Sequence, residues 1–202
     1  MPAEFELMLN YSEACERNKY AIATHLDAYL PNVRSVLEVG SGSGQHAIFL
    51  TSQHPHLIWQ ASDREQYLDA LSINLEQYGI SSLPPPIELD VLNHWPTRQY
   101  DALFSANSLH IMSWKEVKAL FAGAGRAVSR RGWLFIYGPF RYRDGYTSES
   151  NREFDAWLKA RNSESGIRDF EQVTELAEQH GFALRADVAM PANNQLLIWQ
   201  RL

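Results

Sequence analysis

The chain has 202 residues, 45% of them hydrophobic and 21% charged, with a formal net charge of −6. That length suits one ordinary domain with a substantial core, and the composition excludes a disordered chain. A lone cysteine, Cys15, excludes an intrachain disulfide and a cysteine-based zinc cluster. The lack of a long basic block weighs against a grip on many nucleic-acid phosphates.

No apolar run approaches the roughly eighteen residues of a membrane span. The opening Met1-Pro2-Ala3-Glu4 has neither the basic nor the apolar region of a signal peptide. No membrane partner is expected, and the cytoplasm is the expected compartment.

Residues 13–29 read as a helix, with Ser12 as cap and Pro31 beyond its end. Ser35–Val39 is the first expected strand and Gln45–Gln53 the helix after it. Leu57–Gln60 is the second strand, and 65–78 a helix presenting Leu68, Leu71, Leu75 and Tyr78 at spacings of three and four. A proline run at 84–86 precedes a short third strand, Ile87–Leu89. Asp101–Ala106, Trp114–Val128 and Trp133–Tyr137 follow as strand, helix and strand, and Gly138-Pro139 ends the last abruptly. A polar stretch from Arg141 to Asn151 leads to helices near 152–160 and 169–179, then to two final strands, Phe182–Ala189 and Gln195–Arg201.

Strands alternating with helices at this period predict an open α/β fold, a mostly parallel sheet with helices on both faces. The last two strands are joined by too few residues for a crossover helix, so they should be antiparallel. Nothing cuts the chain in two, and one domain over 1–202 is expected.

The chemistry is concentrated at Val36-Leu37-Glu38-Val39-Gly40-Ser41-Gly42-Ser43-Gly44, a strand running into three glycines at two-residue spacing. Such a turn opens a helix whose amides point back at a ligand. A nicotinamide or flavin site usually reads G-x-G-x-x-G. Here the third glycine comes one residue early, and Glu38 stands two positions before the first. A carboxylate there repels a pyrophosphate but suits a ligand bearing an ammonium and a sulfonium, S-adenosylmethionine. Its seat would be Glu38, Gly40, Ser41, Gly42 and Gly44, and the pattern E-x-G-x-G-x-G resembles motif one of the class I methyltransferases.

Asp63 lies 19 positions after Gly44 and can accept both ribose hydroxyls. Asp90 could accept from the adenine amino group, with Val91 packed near the base. Asn107 and His110, past the fourth strand, would be delivered to the sulfonium end, where Asn107 serves cofactor and catalysis alike. His110, with a reference pKa of about 6.5, is the candidate base; for a preformed nucleophile it would instead orient the acceptor. No H-x-x-x-H pair is present, and no metal is expected.

A wider resemblance rests on Ala14-Cys15-Glu16-Arg17-Asn18-Lys19, Leu37 to His46, Trp59-Gln60-Ala61-Ser62-Asp63, Ala106 to Ile111, Tyr137-Gly138-Pro139-Phe140 and Met190-Pro191-Ala192-Asn193-Asn194. In these stretches the chain resembles the uncharacterised methyltransferase-like family that includes methyltransferase-like protein twenty-six. The resemblance implies the class I methyltransferase fold, a seven-stranded sheet in the order 3-2-1-4-5-7-6 with strand 7 reversed, and S-adenosylmethionine as cofactor. It also suggests that residues 1–30 form a helical cover over the pocket.

Tyr11, Arg17, Asn18, Phe140, Arg141, Asn193 and Asn194 would then line the substrate side, since turn chemistry alone needs only one of the two asparagines. The expected reaction is methyl transfer to an unidentified small or locally exposed acceptor, with Arg141 and Arg143 hinting at an anionic group. Two alternatives stand beside it: a non-catalytic S-adenosylmethionine-binding sensor or scaffold, and an NAD-dependent oxidoreductase.

Overall fold

The computed structural model describes residues 8–81, 83–143 and 145–202. The expected cover starts within residues 1–7, which lie outside the described residues. Two compact units divide the chain, the first ending at Asp90 and the second starting at Val91.

The first unit contains α1 (Glu13–Leu26), β1 (Ser35–Val39), α2 (Gln45–Gln53), β2 (Ile58–Asp63), α3 (Glu65–Tyr78) and β3 (Ile87–Glu88). Ser12 caps α1 by accepting from the Cys15 amide at 3.3 Å. The helix stops at Leu26, short of the expected 29, and a single 3-10 turn with Pro31 carries the chain to β1. In β1 the four residues Val36 to Val39 are all buried, so the strand reads as a continuous apolar run broken only by Glu38. It pairs in parallel with β2, which in turn pairs in parallel with β3.

The second unit contains β4 (Tyr100–Ala106), α4 (Trp114–Ala127), β5 (Val128–Gly138), β6 (Phe140–Tyr142), β7 (Gly145–Tyr146), α5 (Glu149–Arg161), β8 (Arg168–Asp169), α6 (Phe170–Gln179), β9 (Phe182–Met190) and β10 (Asn194–Arg201). A capping box, Ser113 with Glu116, fixes the start of α4. β4 and β5 are parallel, whereas β10 runs antiparallel to both β5 and β9.

The main sheet is seven-stranded and mixed, in the order β3-β2-β1-β4-β5-β10-β9, and the fold is a Rossmann-like α/β fold. Counting main-sheet strands alone returns the expected 3-2-1-4-5-7-6. The labels differ because β6, β7 and β8 form a separate sheet in the order β7-β6-β8. Those strands are two or three residues long, too short to show alternation, and the sequence reading expects none of them.

Candidate functional site

The glycine turn of the first unit is held by hydrogen bonds at nearly every residue. Gly40 and Ser41 both donate their amides to the Ser62 carbonyl, at 3.1 and 2.9 Å. The Ser41 hydroxyl accepts from the Ser62 amide at 3.0 Å and donates to Glu38 Oε2 at 2.9 Å. Gly42 donates its amide to Asp63 Oδ2 at 2.8 Å, which ties the middle of the turn to the end of β2. The ends of β1 and β2 are thereby knitted into one rigid rim.

Two of the glycines do different work. Gly44 caps α2 at φ +82°, and a Cβ there would lie 2.9 Å from Leu75 and 3.0 Å from Leu71. Its missing side chain lets α3 pack close. Gly42 has φ +57°, yet a Cβ there would meet nothing within 4 Å. Packing does not require a glycine at 42; the open space beside its amide is what a ligand would use.

Glu38 is 1% exposed, and its Oε2 also accepts from the Trp59 indole at 2.9 Å. Burial pushes its carboxyl up to about 7, against the pull of the Trp59 and Ser41 bonds, with the neighbouring Asp63 charge adding to the rise. In this structure Glu38 holds the turn through Ser41. Asp63 is buried as well, with Oδ2 on the Gly42 amide and Oδ1 on that of Arg64 at 2.8 Å. A carboxylate has about four acceptor positions, and two backbone donors leave room for the hydroxyls of a diol. An uncrowded glycine amide, a carboxylate with acceptor capacity and a buried acid near neutrality fit an amino-acid-bearing nucleoside.

The segment ahead of this turn is latched to it. Asn74 of α3, wholly buried, accepts from the Leu9 amide at 2.9 Å and donates to the carbonyls of Leu9 and Ser43 at 2.8 and 2.9 Å. The Ser12 amide donates to Gln45 Oε1 at 2.8 Å, and Gln45 Nε2 donates to Glu16 at 3.2 Å. Asn18, expected in the substrate wall, is buried instead, with Oδ1 2.7 Å from His46 Nε2. It docks α1 on α2. Arg17 is 72% exposed and 4.0 Å from Glu13, a solvated ion pair, and Tyr11 is half-buried.

Asp90 ends the first unit, half-buried. Val91 is buried and its carbonyl accepts from the Trp95 indole at 2.9 Å. Trp95, half-buried, fills the space over Gly123, where a Cβ would come within 1.9 Å of the ring, so it packs against α4.

In the second unit, Asn107 sits at φ +56° just past β4, its amide donating to the Tyr137 carbonyl at 2.9 Å. His110 is 6% exposed, edge-on to Phe154 with ring centroids 5.4 Å apart. Burial, then the Arg168 charge, lowers its pKa to about 4, well below the near-neutral value expected of a base. Among the described residues its Nδ1 has no hydrogen-bond partner.

Phe140 is fully buried, so it packs in the core and is not part of an open wall. Arg141 lies half-buried with Nε 3.7 Å from Asp169. The asparagines at the β9–β10 turn both serve the turn. Asn193 adopts φ +58° and accepts at its carbonyl from Asn151 at 2.9 Å, while Asn194 donates to the Pro191 and Ala192 carbonyls at 3.3 Å. Ala192 beside them is also left-handed, at φ +57°.

Asn74 and Arg168 escape the sequence reading, and Trp59 enters it only as part of the wider resemblance. Among the described residues no helix is long and apolar enough to cross a membrane.

A family described as "Protein of unknown function (DUF938)" matches residues 9–201. Among solved structures, the chain is similar to an O-methyltransferase family protein from Burkholderia thailandensis, with a TM-score of 0.82 at 18% identity over 93% of this chain and 57% of that one. It is similar to human N-acetylserotonin methyltransferase in complex with S-adenosylmethionine, with a TM-score of 0.79 at 15% identity over 94% and 53%. A third, an O-methyltransferase family 2 protein from Planctomyces limnophilus in complex with apigenin, gives a TM-score of 0.79 at 17% identity over 99% and 62%. At these identities the likeness carries the fold. The chain spans a little over half the length of these structures.

Proposed function

The chain belongs to the DUF938 family, and we propose on that premise that it is an S-adenosylmethionine-dependent methyltransferase acting on a small or locally exposed acceptor. The observation that carries the reading is the rim Glu38–Ser41–Gly42–Asp63, with its buried acid and its uncrowded glycine. The likeness to methyltransferase-like protein twenty-six and a cytoplasmic setting belong to the same proposal.

When bound, the cofactor supplies an already activated methyl group, so the protein's work is alignment and exclusion of water. Asp63 accepts the ribose hydroxyls through its remaining acceptor positions. Gly40, Ser41 and Gly42 offer backbone close to the ligand, while Glu38 sets the turn and favours a cationic neighbour. Asp90 and Val91 take the adenine, and Asn107 serves the methyl-bearing end.

For His110, burial and the Arg168 charge, which lower its pKa to about 4, favour one of its two roles. At pH 7 the imidazole is neutral, and holding a proton there costs about 4 kcal/mol relative to a group balanced at that pH. Orientation of the acceptor through a hydrogen bond therefore outweighs general-base catalysis. Arg141 remains the candidate partner for an anionic part of the acceptor.

Calorimetry with S-adenosylhomocysteine and with NAD tests the reading. Binding of S-adenosylhomocysteine alone is expected, whereas binding of NAD alone would replace the proposal with an oxidoreductase. Transfer of labelled methyl from S-adenosylmethionine to components of a cell extract distinguishes an enzyme from a binding scaffold.

A further inference from the structure

The glycine rim of the first unit is open where a ligand would meet it, but the residues that set its shape are not. Gly40 is exposed and Gly42 half-exposed, whereas Ser43 and Gln45 are buried. Ser43 is held from two directions. Its carbonyl accepts from Asn74 Nδ2 at 2.9 Å, and its hydroxyl donates to Gln45 Oε1 at 2.8 Å. Each of those side chains also grips the segment ahead of α1. Asn74 accepts from the Leu9 amide at 2.9 Å, and Gln45 Oε1 accepts from the Ser12 amide at 2.8 Å. Residues 9–12 therefore form a strap bolted at both ends to the residue between Gly42 and Gly44. Asn10, left-handed at φ +55°, and the half-buried Tyr11 span the gap between the bolts.

The bolt at Gln45 is set by charge. A backbone amide only donates, so Ser12 requires the Gln45 oxygen to face it and the nitrogen to face away. On that far side Gln45 Nε2 donates to Glu16 Oε2 at 3.2 Å, and Glu16 Oε1 pairs with the buried Lys19 ammonium at 2.6 Å. The same ammonium lies over the Phe49 ring of α2, 5.1 Å from its centroid, which fixes the ion pair between the two helices. A charged acceptor makes a stronger bond than a neutral one. Lys19 and Glu16 thus decide which way the Gln45 amide points, and that amide places Ser43 and Ser12 together.

We infer that Gln45 is a positioning residue for the cofactor: it holds the strap and the glycine turn as one piece, so that docking of the strap and occupation of the open rim favour each other. The inference rests on reading that turn as the seat of S-adenosylmethionine. Glu16 acts behind Gln45 by orienting its amide.

The test exchanges charge across the Gln45–Glu16 bond and reads affinity for S-adenosylhomocysteine by calorimetry. Gln45→Glu sets two carboxylates against each other and should weaken binding roughly tenfold or more. Glu16→Gln alone leaves the Gln45 amide an acceptor and should weaken it by less, about threefold. Both substitutions together again face an amide with a carboxylate and should return affinity to within about threefold of wild type. Equal affinity of Gln45→Glu and wild type would overturn the inference, as would a double variant no better than Gln45→Glu. A wild-type protein that does not bind S-adenosylhomocysteine overturns the cofactor reading and the inference with it.

Hydrogen exchange on the wild-type protein supplies the reciprocal measurement and needs no variant to fold. Saturation with S-adenosylhomocysteine should slow exchange at the Leu9 and Ser12 amides roughly tenfold. Binding that leaves both amides exchanging at their original rate would break the coupling and overturn the inference while the cofactor reading stands.

Discussion

Replacing Glu38 with glutamine should make the protein more stable at and above neutrality, by an amount that shrinks as pH falls towards 4.5. Both donors that reach Glu38, the Ser41 hydroxyl and the Trp59 indole, bond the same oxygen, Oε2. A glutamine can set its carbonyl there and keep both bonds, so the substitution removes charge with little change in shape. Burial raises the carboxyl from 4.5 to about 7. The folded protein therefore binds more protons than the unfolded chain across that interval, and wild-type stability falls as pH rises from 4.5 through 7. At roughly 1.4 kcal/mol for each tenfold change in proton affinity, the full cost is about 3 kcal/mol. Urea unfolding of both proteins at pH 5, 6, 7 and 8 isolates the difference from every other titrating group. It should grow from about 1 kcal/mol at pH 5 to about 3 kcal/mol at pH 8 in favour of Glu38→Gln. A constant offset across that range, or a variant weaker at pH 8, would refute the reasoning.

Gly42→Ala should cost only about 1 kcal/mol, from its left-handed backbone, yet reduce S-adenosylhomocysteine affinity at least tenfold by calorimetry. Gly44→Ala adds the contacts with Leu71 and Leu75 and should cost about 2–3 kcal/mol in the same urea assay. Asn18→Ala removes the buried bond to His46 Nε2 and should lower stability by about 1–3 kcal/mol, while exposed Arg17→Ala stays within about 0.5 kcal/mol. Burial lowers both His46 and His110 to about 4, aided by Lys19 and Arg168 respectively, so their contribution is present above 6.5 and lost as pH falls towards 4. Their ring resonances should stay flat from pH 8 to about 5.5 in an NMR titration. At about pH 6 Glu38 is largely protonated, and a cationic cofactor should expel that proton; calorimetry in buffers of different ionisation enthalpy should count up to one proton released per ligand.

The architecture could be read from the chain because strong local signals agree: apolar runs such as Val36–Val39, the α3 stripe, and a glycine turn between strand and helix. Glu38, Ser41 and Gly42 were legible for the same reason, since their partners are near in sequence or at the end of the next strand. Asn18 was misread because a polar residue on an amphipathic helix shows no sign that a histidine of another helix will bury it. Phe140 was misread because sequence places a residue at a sheet edge without saying which way its side chain faces. The bonds that Ser165 and Arg168 donate to the Ile111 and Leu109 carbonyls were beyond reach, because donor and acceptor lie 54 and 59 residues apart. Such pairings leave no periodic trace.

One amide group on α3 closes a latch with two tongues. The side chain of Asn74 satisfies both main-chain groups of Leu9, as a neighbouring strand would, and spends a second bond on Ser43. Trimming the chain at Leu9, or fusing a bulky tag against it, would strip partners from a side chain that water cannot reach. The damage would be felt at the glycine turn, and a poorly chosen start for expression could pass for loss of cofactor affinity.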